Sequence, residues 1–108
     1  MLKARAGIIT PEITTVAEAE GLDLEAVRLG VAEGFICIPA NVNHKNLSHQ
    51  GFGRGLRTKV NANIGTSNSH PDIEKELVKL KAAIEAGAHA VMDLSTGDNI
   101  DQSRKAIL

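Results

Sequence analysis

The chain has 108 residues, with 12 basic and 13 acidic side chains and a net charge of -1 at pH 7, so it has no global pull toward nucleic acid or anionic lipid. It has no Trp, no Tyr, two Phe and one Cys, which dictates an aliphatic core and excludes a disulfide framework within the chain. The length suits a small domain, no apolar run approaches the ~20 residues of a membrane span, and the region after Met1 lacks a signal-peptide core, so a soluble cytoplasmic protein is expected.

The first element is announced by Thr10-Pro11-Glu12: an N-cap, a proline suited to the first helical position, and an acid at the positive helix end. This helix is expected to run to Glu20 and stop at Gly21. Asp23 then caps a second helix carrying Leu24, Val27, Leu29 and Val31, which ends at Gly34. The two make a helical hairpin. Phe35-Ile36-Cys37-Ile38 reads as a short apolar strand closed by Pro39, which cannot donate to a ladder. From Ala40 to Leu56 neither period is present, and Gly51, Gly53 and Gly55 alternate; this is expected to be a loop outside the core.

From Arg57 the pattern becomes regular. Arg57 to Ile64 reads as a strand ending in the small polar loop Gly65-Thr66-Ser67. Ser69 to Asp72 fits a capping box. Behind it Ile73, Leu77, Leu80 and Ile84 recur at helical spacing, with Glu74, Lys75, Lys79 and Lys81 on other faces, and Gly87 as the stop. A second strand, Ala90 to Leu94, runs into Ser95-Thr96-Gly97-Asp98, and Asp98 or Asn99 caps a last helix, Ile100 to Leu108. Strand, helix, strand, helix at this length predicts a right-handed parallel crossover. Two parallel strands do not make a covered sheet, and the apolar register at the C-terminal end reads as cut rather than finished.

In parallel α/β folds ligands bind at the carboxyl ends of strands, which puts the site at these two strand ends. Asn61 and Asn63 lie two apart and so share a face; a satisfied buried polar pair and a set of amides reading a polar ligand both fit that spacing. The glycines of Gly51-Phe52-Gly53-Arg54-Gly55 precede a strand rather than follow one, against a nucleotide-phosphate loop. His44, His49, His70 and His89 form no helical ligand pair, so no metal site is expected from this chain, and Cys37 between two isoleucines reads as a small buried hydrophobe. Lys45, Arg54, Arg57 and Lys59 cluster near the glycine loop with one Phe among them; a solvated basic rim is the plainer account than nucleic-acid binding.

The run Arg57-Thr58-Lys59-Val60-Asn61-Ala62-Asn63-Ile64-Gly65-Thr66-Ser67, followed by Val91-Met92-Asp93-Leu94-Ser95-Thr96-Gly97, closely resembles the phosphomethylpyrimidine synthase (ThiC) family. Ile38-Pro39-Ala40-Asn41, Asn43-His44 and Gly53-Arg54-Gly55-Leu56 look like the same family's approach to its barrel, and the likeness runs from Gly7 onward. The resemblance implies an α/β fold: residues 1-56 as an N-terminal helical hairpin, short strand and Gly-rich loop, then residues 57-108 as the first two βα units of an incomplete (β/α)8 TIM-type barrel. It implies a radical S-adenosylmethionine lyase of thiamine biosynthesis, using a [4Fe-4S] cluster to convert 5-aminoimidazole ribotide into hydroxymethylpyrimidine phosphate. Carried over residue by residue, the substrate contacts are Asn63 and Met92, with Asn61, Ser95, Thr96 and Asp98 as supporting residues. The family's C-terminal cysteine triplet is absent from these residues, and the metal-binding histidines and later contacts lie beyond residue 108. No catalytic residue, cluster ligand or turnover is therefore expected of the chain alone. Within the complete enzyme the expected partners are the ribotide and further copies of the chain, with no nucleic acid and no membrane. The alternative is a non-catalytic truncated paralogue that self-associates or binds a synthase.

Overall fold

The computed structural model describes residues 1–44, 47–69, 72–96 and 98–108. The chain divides into two compact units, Met1–Thr58 and Lys59–Leu108. Among the described residues no helix is long and apolar enough to cross a membrane.

The first unit holds helices α1 (Leu2–Arg5), α2 (Pro11–Glu20) and α3 (Leu24–Glu33), then strands β1 (Ile36–Cys37) and β2 (Phe52–Gly53). Proline opens α2 at its first turn, and Gly21 and Gly34 close α2 and α3 in the left-handed conformation. Asp23 caps α3 by accepting the amides of Glu25 and Ala26 at 2.9 and 3.0 Å. The core is aliphatic: Ala4, Ile13, Val16, Ala17, Val27, Val31 and Ile36 are buried together, with Ala32, Ile38 and Leu56 packed against them. Each such Val or Ile contributes about 1.5–3 kcal/mol by leaving water.

Four expectations change here. On α3 the buried stripe is Val27, Arg28 and Val31, while Leu24 and Leu29 are exposed. Arg28 follows Val27 and lies three residues before Val31, so its stem falls on the inward stripe, and its guanidinium reaches the Ala4 carbonyl of α1 and the Glu25 carboxylate. Cys37 is exposed rather than buried, because strand alternation turns it away from the core when Ile36 turns in. The expected strand at residues 35–38 shrinks to two residues. The glycine-rich stretch is part of the packing: β2 pairs antiparallel with β1, Ile36 opposite Gly53 and Cys37 opposite Phe52. Gly53 has φ of 146°, and a Cβ there would sit 2.0 Å from the Phe35 carbonyl oxygen, so the pairing requires glycine. Gly51 is buried, with Val16 and Leu56 where its side chain would be.

The second unit runs β3 (Asn61–Ile64), α4 (Ile73–Glu85), β4 (Ala90–Asp93), α5 (Ile100–Ile107). β3 and β4 are parallel, with Asn61 opposite Ala90, Ala62 opposite Val91, Asn63 opposite Met92 and Ile64 opposite Asp93. β3 is shorter than expected because residues 57–60 lie outside the ladder, although the Val60 carbonyl accepts the amides of His89 and Ala90. The α4 N-cap is Asp72, whose side chain accepts the Lys75 amide at 3.3 Å, not Ser69 as the capping-box pattern suggested; His70 and Pro71 lie outside the described residues. On α4 the expected apolar positions Ile73, Leu77 and Leu80 are half-buried and Ile84 is exposed; the residue that is fully enclosed is Glu76. Asn99 stands at the α5 N-cap in the left-handed conformation, without a side-chain bond to the helix. α5 turns Ser103 into the interior.

Candidate functional site

The two strands alternate cleanly between faces. Ala62, Ile64, Val91 and Asp93 occupy one face, and Ile64 is buried there. Asn61, Asn63, Ala90 and Met92 occupy the other, where both asparagines and Met92 are exposed. The Asn61 amide donates to the Asn63 carbonyl oxygen at 2.8 Å. The pair is therefore mutually bonded on an exposed face, rather than buried within a core. Asn63 and Met92 are direct partners in the parallel register, so an amide and a thioether stand side by side.

Past the last ladder pair the two chain segments stay joined. The Leu94 amide donates to the Ile64 carbonyl at 2.7 Å, the Thr66 amide to Ser95 Oγ at 3.0 Å, and the Thr96 amide to the Thr66 carbonyl at 2.8 Å. Asp93 Oδ1 accepts both the amide and the hydroxyl of Ser95, at 2.9 and 2.5 Å. Ser95 Oγ is also 3.2 Å from Ser103 Oγ on α5. The other Asp93 oxygen faces Arg104 Nε at 3.6 Å. Gly65 makes this close approach possible: it has φ of 155°, and a Cβ would lie 2.6 Å from the Leu94 carbonyl carbon and the Ser95 nitrogen. Those neighbours are backbone and have no room to yield.

Glu76 of α4, unremarked in the sequence, sits beneath this junction. It is 2% exposed, accepts the Gly65 amide at 2.7 Å, and is paired with Lys79 Nζ at 2.7 Å. Lys79, ahead of the Gly65 amide, holds its carboxyl below the usual glutamate range, against burial and the neighbouring Asp93, which push it up. A signal for it existed: Glu76 lies three residues after Ile73 and four before Leu80, in the centre of the apolar stripe.

The remaining candidates separate. Asp98 is exposed in the turn before α5 beside Asn99, and Gly97 lies outside the described residues. Arg57 is tied inside the first unit, its backbone amide donating to Glu20 Oε2 at 2.9 Å and its guanidinium to the Ala19 carbonyl at 3.0 Å. Arg54 stacks over the Phe35 ring, 4.3 Å from its centroid. Lys45 lies outside the described residues. His89 Nδ1 accepts the Val60 amide at 3.0 Å. An open apolar groove of about 740 Å³ lies within the first unit, lined by Leu2, Ile13, Val31, Ile36 and Cys37 among others, and shares no residue with the strand ends.

An iron–sulfur cluster is held by several cysteine thiolates. The chain has one cysteine, and among the described residues no group of three or more His, Cys, Asp or Glu is arranged to hold a metal ion. These residues do not fit such a group.

The chain is 67% identical, over all of its 108 residues, to a phosphomethylpyrimidine synthase of Desulforamulus reducens, covering 25% of that protein. It is 61% identical over 105 residues to the phosphomethylpyrimidine synthase of Thermoanaerobacter sp. strain X514, covering 97% of this chain and 24% of the relative. It is 54% identical over 108 residues to that of Carboxydothermus hydrogenoformans, covering all of this chain and 25% of the relative. The chain thus spans about a quarter of the length of the curated relatives it matches. Matched over residues 1–108, it belongs to the Radical SAM ThiC family.

Proposed function

We propose that these residues form the N-terminal part of a phosphomethylpyrimidine synthase of thiamine biosynthesis, and that β3 and β4 are the first two strands of its (β/α)8 barrel. In this reading Asn63 and Met92 contact 5-aminoimidazole ribotide. Asn61 orients the Asn63 amide, Ser95 and Thr96 hold the loop ends, and Asp98 lies at the rim. The complete enzyme would use S-adenosylmethionine and a [4Fe-4S] cluster to form hydroxymethylpyrimidine phosphate, and would assemble as a homo-oligomer. The chain's own residues supply no cluster ligands, so no step of that chemistry is assigned to them.

The observation that carries the reading is the pairing of Asn63 with Met92 on the exposed face of a parallel sheet. An amide fixed by a neighbouring amide can orient a polar ring or sugar, and a thioether packs well against a flat ring. The reading of the chain as a non-catalytic truncated partner is less favoured, since the relatives that match it throughout are named as synthases.

The test is a chimera in which these 108 residues replace the matching segment of the Desulforamulus reducens relative, to which they are 67% identical. It is expected to produce hydroxymethylpyrimidine phosphate, and Asn63→Ala is expected to raise the ribotide KM by about tenfold, the size of one lost hydrogen bond to a buried polar ligand. A folded, cluster-loaded chimera without turnover would overturn the reading.

A further inference from the structure

We propose that Glu76 is a positioning residue for the strand end that carries Asn63: from α4, its carboxylate fixes the Gly65 amide and with it the register of Asn63 against Met92. The inference rests on the synthase reading for its functional consequence and on the geometry for the rest.

The bonds to β4 are made by alternate residues of β3. The Ile64 carbonyl and the Thr66 amide and carbonyl all face the second strand and its loop. Gly65, between them, turns its N–H the other way, where β4 offers no acceptor. The position is half-buried, and an amide turned from water without an acceptor is costly, so a partner for that proton favours this conformation. Glu76 accepts it at 2.7 Å, from α4, the helix that follows β3 and precedes β4 in sequence. Gly65 also stands close against the Leu94–Ser95 peptide, since a Cβ on it would lie 2.6 Å from the Leu94 carbonyl carbon and the Ser95 nitrogen. A shift of Gly65 is therefore transmitted to Leu94 and the paired positions behind it, Asn63 and Met92. The charged groups facing Glu76 are Lys79 on its own helix and Asp93 on β4, with Arg104 of α5 behind Asp93. Lys79 is itself 56% exposed, so it returns to water if the carboxylate is removed. Removing Glu76 thus leaves the Gly65 amide, and not a buried cation, without a partner.

The experiment compares Glu76→Gln, which keeps an acceptor oxygen, with Glu76→Met, which keeps length and removes it. In the chimera described above, Glu76→Met is expected to raise the ribotide KM by about tenfold with the S-adenosylmethionine KM unchanged, and Glu76→Gln to stay within about threefold of the parent. A folded Glu76→Met chimera with both KM values unchanged, or with both rising together, overturns the proposal, as does a Glu76→Gln loss equal to that of Met. An inactive parent chimera would defeat the synthase reading alone. The positioning role is then decided in the 108-residue chain by amide hydrogen exchange, as it is if Glu76→Met fails to fold in the chimera. There the Gly65 and Leu94 amides are expected to exchange about tenfold faster in Glu76→Met and near the parent rate in Glu76→Gln. Unchanged exchange at Leu94 in Glu76→Met, or equal acceleration in Glu76→Gln, overturns it.

Discussion

Ser103, fully buried on α5, places its hydroxyl 3.2 Å from that of Ser95 in the loop after β4. Ser95 in turn donates to Asp93 and accepts from the Thr66 amide, so one helix position supports the junction of both strands. Ser103→Ala is expected to destabilise the second unit by about 1 kcal/mol, the net worth of one hydrogen bond. Ser103→Leu is expected to cost about 1–3 kcal/mol, from forcing extra carbons into a filled site. Urea denaturation of the chain measures both. Equal stability in the Leu variant would show that the α5 contact is loose.

Gly65→Ala is expected to be worse than either. The position combines a positive φ of 155° with a Cβ site 2.6 Å from two backbone atoms of Leu94 and Ser95. Neither strain is relieved by a rotamer change, so a loss of about 2–4 kcal/mol is expected. Calorimetry on the variant, with an alanine substitution at exposed Glu74 as the control, reads the difference. A midpoint within a degree or two of the parent would mean that the two loops separate without cost.

Much of this arrangement is legible in the sequence, for identifiable reasons. The Thr10-Pro11 opening, the Gly21 and Gly34 stops and the Asp23 cap act through local backbone chemistry, and each stands where local chemistry puts it. The parallel pairing of β3 with β4 follows from chain length between strands. Hidden from periodicity are the polar residues that the helices bury: Arg28 on α3, Glu76 on α4 and Ser103 on α5. Each lies on an inward stripe, and each reaches a group supplied from outside its own helix: the Ala4 carbonyl, the Gly65 amide and the Ser95 hydroxyl. A period computed from apolar residues alone passes over them. The pairing of the expected strand β1 with β2 was equally hidden, since the two residues of β2 in a glycine-rich stretch leave no alternation to read.

Cys37 supplies a direct chemical check on the first unit. Its thiol is exposed beside the apolar groove, so it is expected to react fully with a disulfide reagent in the native chain without denaturant. A thiol that titrates only after unfolding would reverse the strand facing and put Cys37, not Ile36, in the core.

The acid limb of the stability curve ties these elements to solution behaviour. Hydrogen bonding to Lys79 and Gly65 holds the Glu76 carboxyl below its ordinary value, and the Lys75 amide and side chain do the same for Asp72. In the first unit the Thr10 hydroxyl lowers Glu12, and Arg28 lowers Glu25. All four pKa values are lower folded than unfolded. Their stabilisation is therefore complete above the unfolded carboxylate range, roughly pH 5, and is lost as pH falls through the depressed folded values. Arg28 shifts upward, above an already high value, and does not titrate in this window. The melting temperature is expected to be nearly flat from about pH 7 to 5 and to fall steeply below about pH 4. Glu76 is the most enclosed of the four, so Glu76→Gln is expected to flatten that fall for the second unit more than Asp72→Asn does. Thermal melts of the three chains from pH 7 to pH 3 decide the ranking. An acid limb unchanged by Glu76→Gln would mean that the carboxylate is solvated and that Gly65 is held by other contacts.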